Sequence, residues 1–295
     1  MTRRAFYIVD VFAGEKYAGN QLAVIREAKD IPDEEMQQIA KEMNYSETTF
    51  ILSDEVHDGG YDVRIFTPKK EIPFAGHPTL GTAYIVQKEI IRNPVQSLFL
   101  NLEVGKIPIT FNYKDGETDI LWMKHNPAVF GQVFDKEKIS HILNLDKDLI
   151  DDKFPIQEVS TGFPCLIVPL KTLEASRKAR VDKDMYFSLV ENIESKGILI
   201  FAPETFHQEN QLNVRFFCDY LGIPEDPATG SANGCLAGYL VKHRYFGENR
   251  VDIRVEQGYE IGRPSLLFLR SEEKEDKIDV FVGGQVVPIA NGQLV

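Results

Sequence analysis

Residues 63–79 read VRIFTPKKEIPFAGHPT, and residues 214–230 read VRFFCDYLGIPEDPATG. Val63 and Val214 stand 151 positions apart (214 − 63). The same offset joins Arg64 to Arg215, Phe66 to Phe217, Ile72 to Ile223 and Pro73 to Pro224. A helix-like segment follows each copy, PTLGTAYIVQKE in one and SANGCLAGYLVKH in the other. An offset near half the chain length implies two similar halves, not a solenoid of short repeats. In both copies a strand and a loop run into a helix start, but one ends on Gly-His-Pro and the other on Asp-Pro-Ala-Thr-Gly-Ser.

Outward from these stretches the pattern is mixed. AFYIVDVF, QLAVI, TTFIL and YDVRIF read as strands of the first half. CLIVPL, GILIFAP, LNVRFF, RVDIRVEQG and SLLFLRS read as strands of the second. IPDEEMQQIAKEMN reads as a helix: acids fill its first turn, and Met36, Ile39, Ala40 and Met43 make one apolar stripe. A second acidic helix is expected around DKDMYFSLVENIES. Near the end, Asn291-Gly292 between apolar residues signals a hairpin turn. Strand-rich halves with one or two helices each define an α+β protein without regular βαβ alternation. The boundary is expected between residues 116 and 130.

The bulk composition excludes several roles. A net charge of −12 and a pI of about 5.1 argue against a general nucleic-acid binder, which needs clustered Lys and Arg. They do not exclude a small anionic substrate held by a few backbone N–H groups. No apolar run approaches the ~18 residues of a membrane span. MTRRAFYIVDVF reads as a first strand, since its short apolar run contains Asp10 and no cleavage pattern follows. Cys165, Cys218 and Cys235 have no metal-ligand or disulfide spacing. A cytoplasmic protein without a metal site is the expectation.

The chemistry concentrates at the two helix starts. Each presents unsatisfied N–H groups and partial positive charge, and Gly76, Gly230 and Ser231 permit close approach of a ligand. Pro78 is expected at the first helical position. His77 stands alone among six histidines in occupying the repeated turn, and it can exchange a proton near neutral pH. Asp226 is placed to orient a group or meet a substrate amine. Glu47, between a helix end and the strand TTFIL, is a third candidate, because partial desolvation there favours its neutral acid.

Taken together, VDVFAGEKYAGNQLAVI, SETTFIL, RIFTPKKEIPFAGHPTLG, STGFPCLIVPL, RFFCDYLGIPEDPATGSANG and VFVGGQVVPI resemble the phenazine-biosynthesis isomerase family, the PhzF-like proteins of the diaminopimelate epimerase-like fold. The resemblance spans nearly the whole chain. It implies two pseudo-twofold-related domains, each a curved sheet around a central helix, with the active site between them. The expected limits are 1–118, completed by 284–295, and 119–283. It implies cofactor-independent proton transfer, similar to trans-2,3-dihydro-3-hydroxyanthranilate isomerase, and a homodimer. Glu47 takes the place of the family's acid/base glutamate. His77 and Asp226 are its active-site partners, and Gly76, Gly230 and Ser231 its substrate contacts. The related racemases use one cysteine per half; on the family pattern those positions are Ala75 and Ala228 here. A non-catalytic binding module and a cysteine-independent racemase or epimerase remain as alternatives.

Overall fold

The structure, a computed structural model, describes residues 3–275 and 277–295. The chain divides into two compact units, Met1–Lys124 with Gly283–Val295, and His125–Val282. The first contains β1 (Arg4–Val11), β2 (Asn20–Ile25), α1 (Asp33–Met43), β3 (Glu47–Ile51), β4 (Tyr61–Phe66), β5 (Glu71–Ile72), α2 (Gly76–Ile85), β6 (Ser97–Leu102), β7 (Gly105–Lys114) and β8 (Glu117–Lys124). The second contains β9 (Val129–Phe134), α3 (Lys136–Ile142), β10 (Ile156–Ser160), β11 (Pro164–Pro169), α4 (Leu173–Lys178), α5 (Lys183–Val190), β12 (Gly197–Ala202), β13 (Leu212–Cys218), β14 (Ile223–Asp226), α6 (Gly230–Lys242), β15 (Arg250–Gln257) and β16 (Ser265–Lys274). Then β17 (Lys277–Gly284) leads back, and β18 (Val286–Leu294) joins the first unit.

The repeat read from the sequence is a repeat of topology. In the first unit β18, β1, β2, β3, β4, β6 and β7 are neighbours in that order. In the second the order is β9, β10, β11, β12, β13, β15 and β16. Both runs follow the same senses: antiparallel twice, parallel, antiparallel, parallel, antiparallel. The short strands β5 and β14 pair with β4 and β13 at matching places.

Each sheet wraps one helix. All ten residues of α2 are buried, and it packs on β1, β2, β3, β6, β8 and β18. Likewise α6 is buried along nearly its whole length against β10, β11, β12, β15 and β16. Such helices need small residues, because apolar surface surrounds them on every side. A Cβ on Gly81 would lie 2.6 Å from Leu22 Cδ2 and 2.8 Å from Val11 Cγ2. The outer helices behave differently. In α1 only one stripe is covered, with Met36 and Ala40 packed on Ile25, Phe50 and Phe66. Burying a side chain such as Met36 contributes roughly 1.5–3 kcal/mol.

Three sequence expectations need correction. The constant offset of 151 holds only through β4 and β13. Ile65 pairs with Ile72 on β5, whereas its counterpart Phe216 pairs with Asp226. The offset is 154 at this pairing (226 − 72) and at the helix starts Gly76 and Gly230, because the turn after β13 is three residues longer. The matches of Ile72 to Ile223 and Pro73 to Pro224 are therefore coincidental. Second, α2 starts at Gly76 after the N-cap Ala75, so Pro78 is its third residue, not its first. It is tolerated there because N–H groups of the first turn have no intrahelical acceptor. Third, Asn291-Gly292 is not a turn. Both residues lie inside β18, opposite Tyr7 and Phe6 of β1. Gly292 is small because the Phe6 ring occupies the space its Cβ would fill, 2.6 Å from Phe6 Cε1.

Candidate active site

Glu47 is the first residue of β3, and His77 is the second residue of α2. Their positions in sequence show no relation, yet the fold brings His77 Nε2 to 3.4 Å from Glu47 Oε2. Both side chains are buried, His77 at 6 % and Glu47 at 12 % exposure. β3 and α2 are held to one another by a 2.7 Å hydrogen bond between the hydroxyls of Thr49 and Thr82. Burial pushes the His77 imidazole down to about 3, while a hydrogen bond from the ring to the Gln21 backbone acts the other way. The ring is neutral at physiological pH. Glu47 and His77 thus face each other as a buried pair in which the histidine is not a cation.

In the second unit, Asp226 ends β14 and is buried. Its carboxylate accepts from the Thr229 hydroxyl, and Thr229 is the N-cap of α6. Gly230 and Ser231 are the first two helical residues. The structural counterpart of Ala75 is therefore Thr229, one residue beyond the expected Ala228; neither position carries a thiol. Sequence reasoning missed the residue that organises this turn. Gln257, wholly buried at the end of β15, accepts from the Thr229 amide at 3.2 Å and from Asn233 Nδ2 at 2.8 Å. Its own amide donates to the Asp226 carbonyl at 2.8 Å and to the Thr229 hydroxyl at 3.1 Å. The available signal was a buried-type strand ending on the polar pair Glu256-Gln257 before a glycine.

The starts of α2 and α6 share a further property. Neither N-cap offers a side-chain acceptor to the helix, and neither first turn has an acidic residue. By contrast α3, α4 and α5 are capped by Asp135, Thr172 and Asp182. The N–H groups and partial positive charge at the two central helix starts are not neutralised by those devices, which suits them to an anionic ligand. Two surface hollows lie elsewhere. One of about 480 Å³ is lined by Arg177, Phe206 and Tyr259 among others, and one of about 560 Å³ by Arg64, Glu71 and Asn101 among others. Neither contains any of the six candidate residues.

All three cysteines are buried. Burial pushes the Cys165 thiol up and the Cys218 thiol up to about 12. Cys235 donates to the Phe163 carbonyl at 3.4 Å. Among the described residues no group of three or more His, Cys, Asp or Glu could hold a metal ion, and no helix is long and apolar enough to cross a membrane.

The buried histidines set a pH dependence. His125 is buried beside Thr161, and burial pushes it down to about 4. In the unfolded chain both His77 and His125 would titrate near 6.5. The unfolded state therefore binds protons first as pH falls, and stability drops from about pH 6.5 toward pH 4. Each histidine contributes a slope of about 1.4 kcal/mol per pH unit inside that window. Asp33 and Asp152, held low by Arg64 and Lys136, lose their contributions only in the carboxylate range below it. Urea midpoints at pH 7.5, 6 and 5 should fall steadily, and His125→Asn should flatten the slope. A midpoint constant down to pH 5 would contradict the neutral burial of both rings.

The family model described as phenazine biosynthesis-like protein matches residues 9–292. An uncharacterised isomerase of Clostridium acetobutylicum is 33 % identical, over 98 % of this chain and 97 % of that one. The trans-2,3-dihydro-3-hydroxyanthranilate isomerase of Pseudomonas aeruginosa is 32 % identical, over 98 % of both. The crystal structure of the Bacillus anthracis PhzF-family phenazine biosynthesis protein superposes with a TM-score of 0.91 at 27 % identity, covering both chains fully. The fold extends to epimerases. A hydroxyproline epimerase of Agrobacterium vitis gives a TM-score of 0.62 at 9 % identity, covering 100 % of this chain and 91 % of that one. The α+β fold and the matched sequence place this chain in the PhzF-type, phenazine biosynthesis-like family.

Proposed function

We propose that this protein is a cofactor-independent isomerase that shifts a double bond on a small carboxylate-bearing substrate, with trans-2,3-dihydro-3-hydroxyanthranilate as the reference compound. The observation that carries the reading is the buried pairing of Glu47 with a neutral His77 in the first turn of an uncapped helix. Glu47 removes a proton from a carbon next to an unsaturated system. The freed electron pair forms the new double bond, the old one opens, and its distal carbon takes the proton back from Glu47. Atoms and charge balance without an oxidant or reductant.

His77 acts on Glu47 in this scheme. With its other ring nitrogen engaged at Gln21, Nε2 is the acceptor of the neutral ring. It holds the Glu47 carboxylic acid between removal and return of the proton. The N–H groups at Gly76, Gly230 and Ser231 stabilise negative charge on the substrate, and Asp226 meets its amine. The burial of all three cysteines, and the upward push it gives the Cys165 and Cys218 thiols, disfavour a two-thiol racemisation.

Incubation with trans-2,3-dihydro-3-hydroxyanthranilate and related unsaturated amino carboxylates, followed by NMR, tests this. The expected product has a new olefinic pattern. Inversion at a stereocentre with the double bonds unmoved would replace the isomerase by an epimerase.

A further inference from the structure

The repeat contains a unit that the site chemistry does not use. On β4, the Arg64 guanidinium makes two parallel hydrogen bonds to Glu71, Nε to Oε1 and Nη2 to Oε2, both 2.7 Å. Its Cζ lies 5.1 Å from the centre of the Phe66 ring. On β13, Arg215 does the same with Glu225, with both bonds at 2.8 Å and Cζ 4.9 Å from the Phe217 ring. Each guanidinium is thus paired with a carboxylate and lies near an aromatic ring two residues ahead.

The spacing decides what this unit does. Arginine and glutamate are seven residues apart in the first copy and ten in the second. The longer turn after β13 has not broken the pairing. Each glutamate stands five residues before its helix: Glu71 before Gly76, and Glu225 before Gly230. The arginine keeps its place on the strand, and the glutamate keeps its place relative to the helix start. Glu71 belongs to β5, which leads to Gly76 and His77, and Glu225 is bonded in sequence to Asp226.

We propose that Arg64–Glu71 and Arg215–Glu225 are positioning clasps, each locking the start of its central helix to its own sheet. Arg64 and Glu71 thereby position His77, and Arg215 and Glu225 position Asp226, Gly230 and Ser231. The two differ in rigidity. Arg64 is a quarter exposed and shares its charge with Asp33. Arg215 is 4 % exposed and also donates to the Ser176 and Ala179 carbonyls at 2.6 and 3.0 Å. A planar fork with fixed donors is required; lysine keeps the charge but not the fork. The catalytic part of this inference rests on the isomerase reading, while the structural part does not.

Arg64→Lys and Arg215→Lys test it through two amides. Thr79 N–H donates to the Ala75 carbonyl at 3.3 Å, and Asn233 N–H to the Thr229 carbonyl at 3.0 Å. These are the first intrahelical bonds of α2 and α6. In Arg215→Lys, hydrogen exchange at Asn233 should quicken at least tenfold, with Thr79 and the β11 amides unchanged. In Arg64→Lys, Thr79 should quicken and Asn233 stay constant. If Arg215→Lys does not fold, Glu225→Gln is read in its place. On a turned-over substrate, Arg215→Lys should act mainly on KM and Arg64→Lys mainly on kcat. Exchange that is unchanged at both amides, or that quickens evenly through a unit, overturns the clasps. Local quickening without turnover of any compound by the parent protein would leave the clasps standing and remove the isomerase reading.

Discussion

Glu47→Gln should lower turnover by at least a hundredfold and leave the fold intact. General acid/base catalysis by a placed carboxyl group is worth roughly 10²–10⁴-fold, and here one group both takes and returns the proton. The amide has nearly the same shape and cannot carry that proton. Because His77 is neutral, the substitution breaks no ion pair, so the thermal midpoint should move little. Substrate affinity should stay within a few-fold, since the proposed anion contacts belong to Gly76, Gly230 and Ser231. Steady-state kinetics beside equilibrium binding checks both halves. A variant that keeps more than a few per cent of kcat would remove Glu47 from its role.

Gly258→Ala should produce the largest loss of stability among the small substitutions near the second helix start. Gly258 has φ +80°, and a Cβ there would stand 2.3 Å from the Arg263 carbonyl oxygen and 2.5 Å from that of Pro227. Both obstacles are backbone atoms. The left-handed conformation and the forced displacement together cost roughly 2–4 kcal/mol. Pro227 lies between Asp226 and the α6 N-cap, so the damage falls on the proposed substrate-binding turn as well. Gly262 is the control. Its φ is +71° with open space around it, and alanine there should cost only about 1–2 kcal/mol. Urea denaturation of the two variants should separate them clearly; equal losses would mean that the close approach at Gly258 is not the constraint.

The extent to which the sequence was legible follows the range of the interactions. The α1 helix was readable because one turn of acids and one apolar stripe are local properties, and Met36 and Ala40 are buried as that stripe requires. The repeated halves were readable because strand β4 and strand β13 preserve Arg64 and Arg215, Phe66 and Phe217. The register after them was not, since three extra residues in a turn leave no mark on either flanking segment. Asn291-Gly292 has the composition of a hairpin, but the Phe6 ring across the sheet decides its conformation. Glu47 and His77 were separate candidates by sequence. Their 3.4 Å approach depends on β3 packing beside α2, which no local pattern encodes. Gln257 was invisible for the same reason: its hydrogen bonds reach 24 to 31 residues back along the chain.

The most direct measurement is the fate of a carbon-bound deuterium. The protein and Glu47→Gln are incubated with trans-2,3-dihydro-3-hydroxyanthranilate in D₂O, and with substrate deuterated at the acidic carbon in H₂O, and C–H signals are followed by NMR. A proton carried by Glu47 predicts product with label at the newly saturated carbon, from solvent or from the substrate itself, and none of it with Glu47→Gln. Equal labelled product from both proteins would contradict the assignment of Glu47 as the group that moves the proton.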